Sequence, residues 1–308
     1  MSNDVHAMPK AELHVHLEGG LRSETRDRLA ARHGLEVSDA PADYSDLGQF
    51  LADYDLICQS MRTSEDFRDA TLDVVEQCAA SNVRHLEMFF SPQSHPSLPY
   101  AAMLDGIMDA FDFAADRHGM TALLIPAHNR ELGAEAGLAF IEMVLADRRP
   151  RVAGIGMDYD EADHPPGLFT AIYDRAKEAG LGLTIHAGED GPAENVRYAV
   201  ERLGCRRIDH GYRVIDDPTL IERCRELDVL FTVCPSTTLL MTPWNDLNDP
   251  KHAIRQMLDA GLKLTVGTDD PGMFGTDLNR EYMLLLEGGV SQETLEICAA
   301  NGLAYNWN

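Results

Sequence analysis

The chain has 308 residues, 44% of them hydrophobic and 25% charged, with 26 Lys and Arg against 51 Asp and Glu for a formal net charge of -25. This composition can bury a large core and is not that of a disordered chain. A surface so acidic would repel nucleic-acid phosphates and anionic lipid headgroups, and no apolar run approaches the ~20 residues that span a bilayer.

The start, Met1-Ser2-Asn3-Asp4-Val5-His6, lacks the basic and apolar regions of a signal peptide, so a cytoplasmic location is expected. Cys58, Cys78, Cys205, Cys224, Cys234 and Cys298 form no C-x-x-C pair and sit mostly in apolar segments. They are expected to be reduced and buried.

In chain order, short apolar or β-branched runs fall at 11–17, 83–90, 121–128, 152–158, 181–187, 207–211, 229–235 and 263–269. Most are separated by helical periodicity, as in Met103-Leu104, Ile107-Met108 and Phe111. Eight strand-helix alternations predict parallel strands joined by crossover helices, closing into a (β/α)8 TIM barrel, with an open doubly wound sheet as the alternative. One barrel domain over 1–308 is therefore expected. The segment 20–82 is too long for one crossover; Pro41 and Gly48 punctuate two or three helical stretches within it. It reads as a helical insertion leaving the end of the first strand, where it would cover the barrel mouth as a lid. After Asp269 the chain should finish in helices through about residue 300.

Chemistry-bearing residues gather at the ends of these runs. His14 and His16 lie two apart on the first strand, so both side chains share a face, a good half-site for a borderline metal such as zinc. Ile185-His186-Ala187-Gly188-Glu189, Asp209-His210-Gly211, Cys234-Pro235-Ser236 and Thr268-Asp269-Asp270-Pro271 end later strands. Ionisable groups at several barrel strand ends read as a catalytic face. Glu189, a carboxylate just beyond an apolar strand, suits acid-base work. His210 could instead serve only its loop, and Asp270 could be a helix N-cap before Pro271. His16-Leu17-Glu18 also spells H-x-E, but the cysteine-ligated deaminase design needs P-C-x-x-C, and Cys234-Pro235 has the residues reversed with no second cysteine nearby.

His14-Val15-His16-Leu17-Glu18-Gly19, His186-Ala187-Gly188-Glu189, Asp209-His210-Gly211 and Thr268-Asp269-Asp270-Pro271 resemble, in order, the signatures of the adenosine/adenine deaminase family of the amidohydrolase superfamily. The likeness runs from about Pro9 to Tyr282. It implies hydrolytic deamination of a 6-aminopurine with one zinc held by His14, His16, His186 and Asp269, water or hydroxide being the remaining ligand. It also implies Glu189 as proton donor, His210 as the group that orients and helps deprotonate the water, and Asp270 as a contact to the purine imidazole edge. The chemistry agrees, since a weakly electrophilic C6 with a poor amine leaving group needs a strong nucleophile and ring protonation together.

Phe89-Phe90-Ser91-Pro92-Gln93-Ser94-His95, and Gly156-Met157-Asp158 followed by Glu161 and His164-Pro165-Pro166, resemble the adenine deaminase branch, which includes enzymes acting on free or N6-substituted adenines. The adenosine branch has a Gly where Glu161 stands, at a point where its backbone meets the base, and a shorter Asp where Glu18 stands. Glu18, Asp158, Glu161 and Asp270 are therefore the expected substrate contacts, with the extra methylene of Glu18 filling ribose space and a free or N6-substituted adenine preferred to adenosine. Cys234-Pro235-Ser236-Thr237-Thr238 lacks the Leu-Ser-Asn common in that branch, and Gly275-Thr276-Asp277 also departs. Adenosine, aminodeoxyfutalosine-type nucleosides and a non-purine aminoheterocycle thus stay open. The expected partner is a small-molecule aminopurine, not nucleic acid or membrane; a homo-oligomer is left open. A catalytically inactive metal-binding barrel would have no use for both Glu189 and His210. A two-metal hydrolase would usually want a bridging lysine or carboxylate, and no lysine ends strands four or five.

Overall fold

The computed structural model describes residues 5–35, 47–305 and 307; Pro41 lies outside them. All eight apolar runs are extended: β1 Lys10–His16, β2 Val83–Phe90, β3 Thr121–Asn129, β4 Gly154–Asp158, β5 Gly182–Leu183 with β6 His186–Ala187, β7 Arg207–His210, β8 Leu230–Val233 and β9 Lys263–Val266. Neighbouring strands pair in parallel in the orders β1-β2-β3-β4-β5 and β6-β7-β8-β9.

The fifth run, expected as one strand over 181–187, is broken at Thr184-Ile185. It still serves both neighbours: the Thr184 amide donates to the Ile155 carbonyl at 3.1 Å, and the Ile185 carbonyl accepts from the Asp209 amide at 3.0 Å. At the opposite seam Val15 bridges Asp269, the Asp269 amide donates to the His14 carbonyl at 2.8 Å, and the His16 amide donates to the Asp269 carbonyl at 2.8 Å. Strand follows strand around a ring, as an α/β barrel requires. Every residue of β1 is buried, as expected for a parallel strand covered on both faces. Toward the strand starts, Arg207 and Glu87 form a fully buried ion pair, and the Arg207 guanidinium lies 4.2 Å from the centre of the Trp307 ring.

Within 20–82 the chain forms α1 Ser23–Arg32, α2 Leu47–Cys58 and α3 Ser64–Ala80. Thr63 starts α3 with a capping box, its hydroxyl accepting the Asp66 amide while the Asp66 carboxylate accepts the Thr63 amide. Asp66 also pairs with Arg32 and His33, which ties α1 to α3. The helix α4 Tyr100–His118 packs on α3 and buries Met103, Leu104, Ile107 and Phe111, while Met108 is only half-buried. After Asp269 come helices Pro271–Phe274, Leu278–Glu287 and Gln292–Ala304. All six cysteines are buried and unpaired with one another. Among the described residues no helix is long and apolar enough to cross a membrane.

Candidate active site

Period two along β1 turns Glu12, His14 and His16 to one face, and the last two reach its C-terminal end. There His14 Nε2 lies 3.1 Å from His186 Nε2, and His16 Nε2 lies 3.2 Å from the same atom. Asp269 Oδ1 is 3.3 Å from His14 Nε2 and 3.4 Å from His16 Nε2. One ligand atom from each of these four buried residues thus falls within 4.8 Å of every other.

The surroundings fix the rings. Thr232 Oγ1 donates to Asp209 Oδ1 at 2.9 Å, so at 2.8 Å it accepts the proton of His14 Nδ1, leaving the His14 Nε2 lone pair aimed at the cluster. Thr184 Oγ1 donates to the other oxygen of Asp209 at 2.7 Å. Bare imidazole nitrogens and a carboxylate oxygen crowded at 3.1–3.4 Å repel unless a cation sits among them. Three nitrogens and one carboxylate oxygen are the donor set of a zinc ion that keeps a position for water. His210 and Asp269 take positive φ, 65° and 62°, without being glycine. Such backbone bends persist where surrounding contacts enforce them, and here they re-aim side chains at the strand ends.

A cavity of about 320 Å³ opens beside the cluster. His16, His186, His210, Glu189 and Asp269 face it on one side. From α2 come Phe50, Leu51 and Tyr54, with Phe274 stacked on Phe50 at 5.4 Å. Glu189 is a quarter exposed, and its carboxylate lies 3.5 Å from His210 Nε2. Burial first, then Asp269, Asp190 and Glu161, holds the Glu189 carboxyl well above the usual carboxylate range. Burial lowers His210 to about 3, which keeps its ring neutral.

Asp158 and Asp270 line the cavity, and in each the Oδ1 atom is buried without a protein partner. Asp158 Oδ2 accepts the Ser91 hydroxyl at 2.9 Å, and burial pushes its carboxyl up to about 7. Asp270 occupies the N-cap position of Pro271–Phe274, yet its side chain makes no capping bond. Burial and Asp269 drive its carboxyl well above the usual range. Gly19 leaves the space it needs, since a Cβ there would lie 1.8 Å from Asp270 Oδ1.

Two expected substrate contacts are not in the cavity wall. Glu18 is wholly buried behind it, accepting the Tyr54 hydroxyl at 3.0 Å, the Ser91 amide at 2.9 Å and His95 Nε2 at 3.0 Å. The expectation that its extra methylene fills ribose space is corrected: it acts as the anchor of Tyr54 and the 91–95 loop, with three donors on its carboxylate. For the same reason Glu18, Cys58 and His95, though grouped closely enough to hold a metal, read as packing. Glu161 is likewise corrected, because its carboxylate turns away from the cavity into the backbone of 188–191. Sequence reasoning missed Tyr54, Phe50 and Thr237. Thr237 Oγ1 donates to Asp269 Oδ2 at 2.7 Å. Its only signal was its place one turn into the helix after Cys234-Pro235.

A parallel barrel with a histidine-carboxylate cluster at its C-terminal mouth defines a metal-dependent hydrolase of the amidohydrolase class. The family model described as adenosine deaminase matches residues 9–307. The chain belongs to the adenosine deaminase family. It is 40% identical over 296 residues to an adenine deaminase of Cupriavidus necator, covering 93% of this chain and 84% of that one. The crystal structure of an adenine deaminase from Arthrobacter aurescens superposes with a TM-score of 0.91 at 34% identity, covering 97% and 93% of the two chains. An amidohydrolase from Burkholderia ambifaria with bound zinc superposes with a TM-score of 0.92 at 34% identity, covering 99% and 87%.

Proposed function

We propose that this chain hydrolyses the exocyclic amino group from a free adenine or an N6-substituted adenine, giving hypoxanthine and ammonia or an amine. The observation that carries the reading is the cluster of three imidazoles and a carboxylate adjoining Glu189 and His210 on one side of a single cavity. His14, His16, His186 and Asp269 would hold the zinc ion, which when bound lowers the pKa of a coordinated water to about 7 and so supplies the nucleophile at neutral pH.

The remaining steps belong to side chains. Glu189, kept protonated by burial and its acidic neighbours, delivers its proton to N1 of the ring as oxygen adds at C6. His210, neutral and 3.8 Å from Asp269 Oδ2, orients the attacking water, takes its proton and returns it to the exocyclic nitrogen, which leaves as ammonia or amine as the C6–N bond breaks and the new hydroxyl gives its proton back to Glu189. Asp270, driven toward its protonated form, donates to a ring nitrogen of the imidazole edge. Asp158 lines the same cavity, and its Oδ1 has no protein partner and can serve as an acceptor once a ligand reaches it. A free purine carries an imidazole N–H that such an acceptor can take; a nucleoside has a glycosidic bond there instead. An unmade buried hydrogen bond costs ~1–3 kcal/mol, roughly tenfold to a hundredfold in selectivity. The names of the 34–40% identical relatives favour the free base independently. We read 1–308 as one barrel domain with 20–82 as a helical insertion over its mouth, in which Phe50, Leu51 and Tyr54 of α2 shield the bound base from water.

The test is ammonia or amine release from adenine, N6-methyladenine, adenosine and a non-purine aminoheterocycle. The reading expects adenine or N6-methyladenine to give kcat/KM at least about tenfold above adenosine. A preference for adenosine assigns the chain to nucleoside deamination, and silence on every compound makes it an inactive metal-binding barrel.

A further inference from the structure

The loop after β6 carries Glu189 on a backbone with little support of its own, since Gly188 has φ of 75° and Gly191 follows three residues later. Apart from the Gly188 carbonyl, which accepts the Arg213 amide at 2.8 Å, its support comes from Glu161. This residue is 2% exposed and its carboxylate is wrapped by donors from one short segment. Gly188 N–H reaches both oxygens, at 2.7 and 2.9 Å; Glu189 N–H lies at 3.2 Å and Gly191 N–H at 3.1 Å. Asn195 Nδ2 completes the cage at 2.9 Å. The fit is close enough that a Cβ on Gly191 would stand 2.5 Å from the Glu161 carboxyl carbon. A carboxylate has about four lone-pair sites, so none is left for a ligand.

We infer that Glu161 is a positioning residue for the reaction, gripping the backbone of 188–191 so that the Glu189 carboxyl is held against His210 and the cavity. Successive N–H groups converging on an anion form a nest, an arrangement that orders a loop which would otherwise sample several turns. The grip acts on the peptide of Glu189 itself, so it fixes where that side chain starts. A proton donor misplaced by about 1 Å can cost on the order of a hundredfold in rate. The arrangement depends on an acidic side chain at 161, since a residue without a side-chain acceptor there would leave the nest empty.

The inference rests on the reading of Glu189 as the proton donor, and its test separates the two. In the zinc-loaded full chain, Glu161→Gln keeps the shape but turns an amide NH2 toward backbone N–H groups. The expected result is unchanged zinc content, kcat with adenine lower by about a hundredfold, KM within about threefold of wild type, and amide exchange in 188–191 faster by about tenfold. A kcat within about threefold of wild type overturns the inference. So does a raised KM with kcat kept, which would make Glu161 a substrate contact, or a loss confined to thermal stability with full activity in the folded fraction. Should Glu161→Gln fail to fold, Asn195→Asp sets a second carboxylate against Glu161 and is expected to lower kcat by about tenfold with faster exchange in the same segment. A wild type that releases no ammonia overturns the deaminase reading and this role with it; the exchange measurement alone still tells whether Glu161 grips the loop.

Discussion

Replacing Thr237 with valine removes one hydroxyl and little else. Thr237 is 3% exposed in the first turn of the helix Pro235–Met241 and donates to Asp269 Oδ2 at 2.7 Å. The other carboxylate oxygen, Oδ1, faces His14 and His16. The hydroxyl therefore satisfies Oδ2 and would leave Oδ1 to a metal held by the cluster. A hydrogen bond to a charged group is worth ~1.5–3 kcal/mol, and 1.4 kcal/mol is about tenfold in an equilibrium constant, so zinc affinity should fall by ~10-fold to 150-fold. That range agrees with the 10- to 100-fold cost usual for losing a partner of a metal ligand. Zinc affinity of Thr237→Val is measured by competition with a chromogenic chelator, and kcat at saturating zinc. A dissociation constant within about twofold of wild type would refute the role assigned to this hydroxyl.

Glu189→Gln is expected to bind zinc normally and lose about 10²- to 10⁴-fold in kcat, since the amide is nearly isosteric but has no proton to deliver at N1; metal analysis with steady-state kinetics checks it. His210→Asn should also retain the metal while losing turnover, and loss of zinc in this variant would make His210 a ligand. Glu281 accepts the Ser236 amide at 2.8 Å, along with the Ser236 and Thr276 hydroxyls, and burial pushes its carboxyl from 4.5 up to about 7. Between those values the unfolded chain binds fewer protons than the folded one. Its contribution to stability is thus full below about pH 4.5 and falls as pH rises through about 7, by roughly 3 kcal/mol. Glu281→Gln, which resembles the protonated acid, should reduce the difference in denaturant stability between about pH 5 and pH 8; an unchanged difference would show that Glu281 titrates alike in both states.

The neighbours His14, His16, His186 and Asp269 were legible in the sequence because strand periodicity and the barrel's parallel order bring strand ends to one mouth. Position along the chain decides that much. It does not decide where a loop carboxylate points, and there Glu18 and Glu161 misled. Both follow a strand end closely enough to reach the cavity, yet each instead takes donors behind it. For Glu18 the partner His95 was visible as part of the adenine-branch pattern, but nothing local links residues 77 positions apart. The split of the fifth strand was hidden for a similar reason. Thr184 and Ile185 are as apolar or β-branched as their flanks, and the break comes from pairing with Ile155 on one side and Asp209 on the other. Thr237 and Tyr54 act through single hydroxyls on helices, and a lone hydroxyl leaves no pattern to read.

The central claim is that one metal, held by four residues, supports the deamination. It is tested most directly by stripping the protein with a chelator, adding zinc back in steps, and following ammonia release from adenine at each step. The account predicts no release without metal and a linear rise that stops at one zinc per chain. A rise continuing to two, or full activity in the stripped protein, would contradict it.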